Sequence, residues 1–216
     1  MPATECNAIR DGLLSDNPLE FLSKNLILTS TDSEGGFPTS AEVSFDFSDD
    51  GATVQGGRFY ACVVPGNPRL INGLLTVSYL PWGLNAGYYI ILEPEGGPDI
   101  MMTATMDGCS VGYIRGTGGA VRVSHHNVQS PNMDASQKQT LGFANNALHP
   151  SAYRHNDTGF RGEVYFKNQG MGFVFGVRRK GLWTMYSQKV VTQTETEWRK
   201  NRLLSNTISI VEAAVF

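Results

Sequence analysis

Cys109, His125 and His126 are the residues whose types and spacing suit covalent chemistry. They stand in "MMTATMDGCSVGYIRGTGGAVRVSHHN", residues 101–127, where one alternating run leads to the cysteine and the next ends on the two histidines. Gly108 permits a tight or left-handed backbone just before the thiol and leaves peptide N–H groups free to face a developing oxyanion. If the two runs pair as a hairpin across "GTGG", the start of the first lies opposite the end of the second. Cys109 then comes within side-chain reach of His125 or His126. A histidine there lowers the thiol pKa and favours thiolate, the attacking species in cysteine acyl chemistry. At a period of two, Val121, Val123 and His125 share one face, and His126 lies on the other with Arg122, so only one histidine can point at the thiol. A plainer account also fits: a small buried hydrophobic cysteine and two surface histidines at a strand end.

The elements that must position these residues are mostly strands. Residues 1–24 read as one or two short helices, with Thr4 able to cap a turn carrying Ala8, Ile9, Leu13 and Leu14, and Pro18 well placed to start "PLEFLSK". From Leu26 to Val128 the apolar period is two, as in "EVSFDFS", where Val43, Phe45 and Phe47 share a face. Turn-rich stretches such as "DSEGGFP", "PEGGP" and "GTGG" divide the runs. Residues 131–148 carry an early proline and helix-compatible spacing, which predicts an interrupting helix. Three further apolar runs follow, and the tail after Glu195 is compatible with helix or strand. The fold class expected is α+β: a two-layer β sandwich of mostly antiparallel strands with flanking helices.

At 216 residues the chain suits one larger domain, 1–216, with a helical segment at about 1–25 and the chemistry-bearing β core at about 70–192. Apolar residues make up 41% of it and charged residues 17%, which suits a packed core rather than a disordered chain. A net charge of −3 with no basic run longer than "VRRKG" argues against a nucleic-acid partner. The uncharged run 70–92 is broken by Asn72, Pro81, Asn85 and glycines, so it reads as two strands and a turn rather than a membrane span. The opening "MPATECNAIRDGLL" lacks the apolar stretch of a cleaved signal peptide. Cys6, Cys62 and Cys109 are odd in number and widely spaced, fitting neither a disulfide framework nor a zinc site. Synthesis in a reducing cytosol is expected, and a monomer.

The stretch "YLPWGLNAGYYIILEPEGGPDIMMTATMDGCSVGYIRGTGGAVRVSHH" resembles the core of the bacterial glutamine deamidase toxins, the family of the Burkholderia lethal factor, the cytotoxic necrotizing factor catalytic domain and the chemoreceptor deamidases. The matching features are "LPW" at 80–82, Thr103 six residues before the cysteine, "GC" at 108–109, a glycine-rich turn and a histidine ending the next strand. Later, "GFVFGVRRKGLWTMYSQKVVT" is similar to that family's final strands, so the resemblance spans roughly residues 76–192.

The resemblance implies an α+β sandwich whose thiolate attacks the carboxamide carbon of a glutamine in another protein, releasing glutamate and ammonia through a thioester, with no cofactor. It makes Cys109 the nucleophile and His125 the base and later the acid. The lethal factor's shorter turn differs from this one by an even number of residues, which preserves strand face and selects His125, with His126 in reserve. Thr103 would orient the histidine or hold substrate, and amides near Gly108 and Cys109 would bind the oxyanion. Tyr165 falls near an active-site tyrosine of the family, although a cross-strand aromatic in "EVYFK" is its default reading. The family's Leu-Ser-Gly-Cys is here Met106-Asp107-Gly108-Cys109, and Asp107 must face solvent, because a carboxylate turned toward the thiolate would raise its pKa. The family also implies a bacterial toxin or effector, exported without a cleaved signal to act in a target cell's cytosol. The first 70 residues match nothing in it and are expected to help define the target.

Other candidates read as structural. His149 and His155 lack ligands at metal spacing, so no metal is expected. Trp82 is expected to be a buried packing residue. Arg178, Arg179 and Lys180 read as a solvated turn, and Cys6 and Cys62 as packing or surface thiols. Two enzymatic alternatives keep the same pair, transglutamination and cysteine proteolysis. An alternative from another class is a non-catalytic β-sandwich binding module.

Overall fold

The computed structural model describes residues 3–29, 42–49, 58–66, 74–81, 86–104, 110–127, 147–148, 168–197 and 202–215, with side chains for a smaller set that omits Cys62, Ser110 and His126. Two helices open the chain, α1 (Ala3–Leu13) and α2 (Pro18–Lys24). Strands follow: β1 (Leu26–Leu28), β2 (Glu42–Asp49), β3 (Phe59–Gly66), β4 (Leu75–Leu80), β5 (Ala86–Leu92), β6 (Ile100–Thr103), β7 (Ser110–Arg115) and β8 (Val121–Asn127). The remainder are β9 (Ala147–Leu148), β10 (Asn168–Arg179), β11 (Leu182–Glu197) and β12 (Arg202–Val215).

The strands form an eight-stranded sheet, β1-β3-β2-β4-β6-β10-β11-β12, and a four-stranded sheet, β5-β8-β7-β9. Pairing is antiparallel except at β1–β3 and β4–β6. The expected α+β sandwich is what the chain adopts. Among the described residues, no helix is long and apolar enough to cross a membrane.

Alternation along the strands of the large sheet builds two cores. Phe45, Phe47, Val77, Tyr79, Met102, Phe173 and Phe175 turn to the helix side, where they pack with Ile9, Leu13 and Leu22. Leu80, Met101, Val174, Trp183 and Met185 turn the other way, against Ile90 and Leu92 of β5, Val111 and Tyr113 of β7, and Val121 and Val123 of β8. The layers are therefore helices, large sheet and small sheet. The four residues of β6 are all buried, as a strand covered on both faces requires.

The helices follow from local rules. On α1, Cys6, Ile9 and Leu13 recur at helical spacing and are all buried. Each fully buried Ile or Leu contributes about 1.5–3 kcal/mol relative to exposure. Asn17 caps α2, its side chain accepting from the Glu20 N–H at 3.2 Å, and Pro18 occupies the first turn. Thr4 is not a cap: α1 already runs from Ala3, and Thr4 is an exposed residue within it. At the other end of α2 the buried Gln188 donates to the carbonyls of Leu22 at 2.6 Å and Asn25 at 2.8 Å.

The helix expected over 131–148 is corrected at its end, where Ala147 and Leu148 form β9 against Gly112 and Val111; residues 131–146 lie outside the described residues. The tail resolves as the long strand β12, paired with β11.

Candidate active site

β7 and β8 are the hairpin that the alternation around Cys109 requires. Ser110 pairs with His126, Val111 with His125, Tyr113 with Val123 and Arg115 with Val121. The turn closes with the Gly116 N–H donating to the Ala120 carbonyl at 2.8 Å, and Gly118 and Gly119 take positive φ of 73° and 90°, which only glycine adopts without strain. β5 lies on the other side of β8, with Tyr88 opposite His125.

Strand parity sets which histidine turns inward. His125 is 1% exposed and shares its face with Val121 and Val123, which are fully buried in the layer between the sheets. Arg122, on the opposite face, is exposed, its guanidinium 4.5 Å from the Tyr89 ring centroid. His126 belongs to that outer face by position; its side chain lies outside the described residues.

Thr103 reaches the same layer from the large sheet. It is two residues after Met101, which faces the small sheet, and it is fully buried at the end of β6. Its Oγ1 accepts from the Val174 N–H at 3.1 Å, its carbonyl accepts from the Thr29 hydroxyl at 2.8 Å, and the next N–H, of Ala104, donates to the Leu80 carbonyl at 3.0 Å. Three hydrogen bonds, to β10, to β4 and to Thr29 just after β1, thus fix the point from which the chain departs toward Cys109. Accepting from Val174 leaves the Thr103 hydroxyl its own proton to donate.

Cys109, Gly108, Asp107 and Tyr165 lie outside the described residues, as do Trp82, His149 and His155. His125 and Thr103, each with a role expected from the resemblance, are both buried, His125 on β8 of the small sheet and Thr103 at the end of β6 in the large one. Among the described residues, no group of three or more His, Cys, Asp or Glu side chains could hold a metal. Cys6 is a packing thiol, buried with its Sγ 3.6 Å from the Phe45 carbonyl oxygen.

The expectation of a solvated basic turn is corrected for Arg178, the next-to-last residue of β10. Its guanidinium donates to Asp99 and to the carbonyls of Glu93, Gly96 and Gly97, and stands 5.5 Å from the Trp183 ring centroid. The turn itself is Lys180–Gly181, where Lys180 takes a φ of 50°.

Sequence reasoning also missed a cleft of about 340 Å³ beside β5, lined in part by Glu42, Glu93, Glu95 and Trp183. Its lining comes from distant chain segments, and nothing local signals their meeting.

No family model matches the chain. No curated protein matches it. Among solved structures, the C-terminal domain of CNFy from Yersinia pseudotuberculosis is similar with a TM-score of 0.45 and 10% identity, over 100% of both chains. Nothing about this chain's chemistry follows from a likeness that loose.

Proposed function

We propose that the chain is a cysteine-dependent protein glutamine deamidase, with Cys109 as nucleophile and His125 as its proton partner. The observation that carries the reading is the β7–β8 register, which sets Val111 opposite His125 and turns that histidine into the layer that also receives Thr103. In sequence, Cys109 stands two residues before Val111, and the period of two of β7, continued to it, would give it the face of His125. The motif order around "LPW", Thr103, "GC" and the histidine supports the same reading.

The chemistry balances with water alone. The Cys109 thiolate forms a C–S bond to the carboxamide carbon of the glutamine, and the carbonyl electron pair moves to oxygen, facing amides at Gly108 and Cys109. Collapse breaks the C–N bond, and His125 gives its proton to the departing ammonia. Water then yields a proton to His125 and attacks the thioester. The C–S bond breaks and the glutamine has become glutamate. The reading implies a bacterial toxin or effector whose partner is a protein carrying the target glutamine.

Intact-mass analysis of candidate target proteins tests it, since each event adds about 1 Da. Cys109→Ser and His125→Ala should each abolish the gain, His126→Ala should reduce it far less, and the double variant should be little worse than either single one, because the pair acts as a unit. Melting curves of each variant separate loss of chemistry from loss of fold. An equal loss from His126→Ala would overturn the assignment.

One observation favours a second reading. His125 at 1% exposure and a fully buried Thr103 suit a non-catalytic binding module in which both are core residues. Alkylation of Cys109 by iodoacetamide at neutral pH separates the two: a rate well above that of an ordinary thiol supports the enzyme, and an ordinary rate supports the module.

A further inference from the structure

Among the described residues the small sheet has four strands to the large sheet's eight and ends at β5, and Glu42 of β2 and Ser78 and Tyr79 of β4 meet β5 residues at a cleft. The volume of this cleft is about 340 Å³. That is near the lower end for ligand pockets, roughly 300–1,000 Å³, and room for one or two side chains. Ile90, Leu92 and Trp183 give it an apolar floor, and Glu42, Glu93 and Glu95 stand exposed at its rim. No described residue forms an ion pair or side-chain hydrogen bond with any of these three carboxylates. The cations nearby are engaged elsewhere: Arg178 with Asp99 and the loop carbonyls, Arg122 over Tyr89 on the outer face.

Among the described residues nothing pairs with the outer edge of β5. Exposed edge strands are ordinarily guarded by lysines, prolines or bulges. Yet β5, "AGYYIIL", has no charge and no proline, and Tyr89 and Ile91 are 54% and 57% exposed. Among the described residues β8 is its one ladder partner, so every second residue of β5 turns its N–H and C=O outward. The loop 93–99 that forms the rim is held by Arg178, so the rim is built before anything binds.

We infer that this cleft docks an extended, basic segment of a partner protein, which adds to β5 as a further strand. Bare ladder groups are satisfied by another strand, and side chains on one face of that strand enter the cleft. Lysine or arginine fits there, with its stem on the apolar floor and its charged head among the three carboxylates. A nucleic acid or an anionic membrane would be repelled by the same carboxylates, and a second copy of this chain would bring like charges together. The site needs no chemistry at Cys109 and stands apart from the deamidase reading. It adjoins that site, because Tyr88, the partner of His125, is two residues or about 7 Å along β5 from Ile90.

The test is fluorescence anisotropy with a labelled alternating threonine–lysine peptide of about eight residues, within the usual strand range of roughly 3–10. Saturable binding is expected, at least tenfold weaker for a threonine–glutamate peptide and for the Glu42→Gln/Glu93→Gln/Glu95→Gln triple variant. It should be lost when alternate peptide nitrogens of the probe are methylated. Amide shifts in the NMR spectrum should concentrate in Tyr88–Leu92. The replaced carboxylates are exposed, so an unchanged melting curve is expected of the triple variant; if it unfolds, the two control peptides on the wild-type chain decide the matter. Absence of binding, equal binding of the acidic peptide, retention by the methylated peptide, or displacement by spermidine at equal charge concentration would each overturn the proposal.

Discussion

Thr103 joins two strands through one short side chain. Replacing it with valine keeps the volume but removes the acceptor of the buried Val174 N–H, at a cost of about 1–3 kcal/mol, whereas Thr103→Ser keeps the bond. Urea unfolding of the pair measures this, and equal midpoints would show that the bond contributes nothing. Cys6 gives a pH-dependent case: burial pushes its thiol pKa up, and the charges of Asp46 and Glu5 add to the shift against two backbone hydrogen bonds. A raised folded pKa means stability that is whole below the unfolded thiol's pKa, about 8.5, and lost as pH rises through the folded value. The urea midpoint should therefore fall above about pH 8.5 in the wild type and less steeply in Cys6→Ala. The inward turn of His125 was legible because Val121, Val123 and His125 alternate within one strand. The Arg178 clamp was not, since its acceptors lie some 80 residues earlier and no local pattern encodes that meeting.

Packing between elements explains a glycine that looks like punctuation in sequence. Gly176 sits mid-strand in β10, where a Cβ would stand 3.1 Å from the Met101 Cβ and 3.3 Å from both the Met185 Sδ and the Trp183 ring. Gly176→Ala should overpack the intersheet layer by about 1–3 kcal/mol and lower the melting temperature, and a companion Met185→Ala should return part of the loss. Element types were legible where one period ran long enough, as in β2, where Val43, Phe45 and Phe47 alternate into the core. They were ambiguous in "NTISIVEAAV", where apolar residues satisfy either period and pairing with β11 decides for strand. Ala147 and Leu148 were misread for the complementary reason: two residues are too few to show a period, and their strand character comes from β7.

The whole molecule depends on its first 25 residues more than a β-rich chain suggests. α1 and α2 cover the helix side of the large sheet, and Gln188 directs both amide donors at carbonyls of Leu22 and Asn25. Deleting residues 1–25 would uncover Phe45, Tyr79 and Phe175 and leave that buried amide without acceptors. Loss of a cooperative melting transition and gain of binding to a hydrophobic dye are expected, and a cooperative transition in the truncated chain would show the sheets to be self-sufficient.

The strand order also sets a timetable for synthesis. β6 lies at the middle of the large sheet, yet one of its two neighbours is β10, with Met102 beside Phe175. At a ribosomal rate of about 5–20 residues per second, roughly 4–15 s pass between the two residues. Throughout that interval a strand whose four residues are all buried has an unfilled side, so the nascent chain must be kept from pairing with its neighbours on a polysome until β10 arrives.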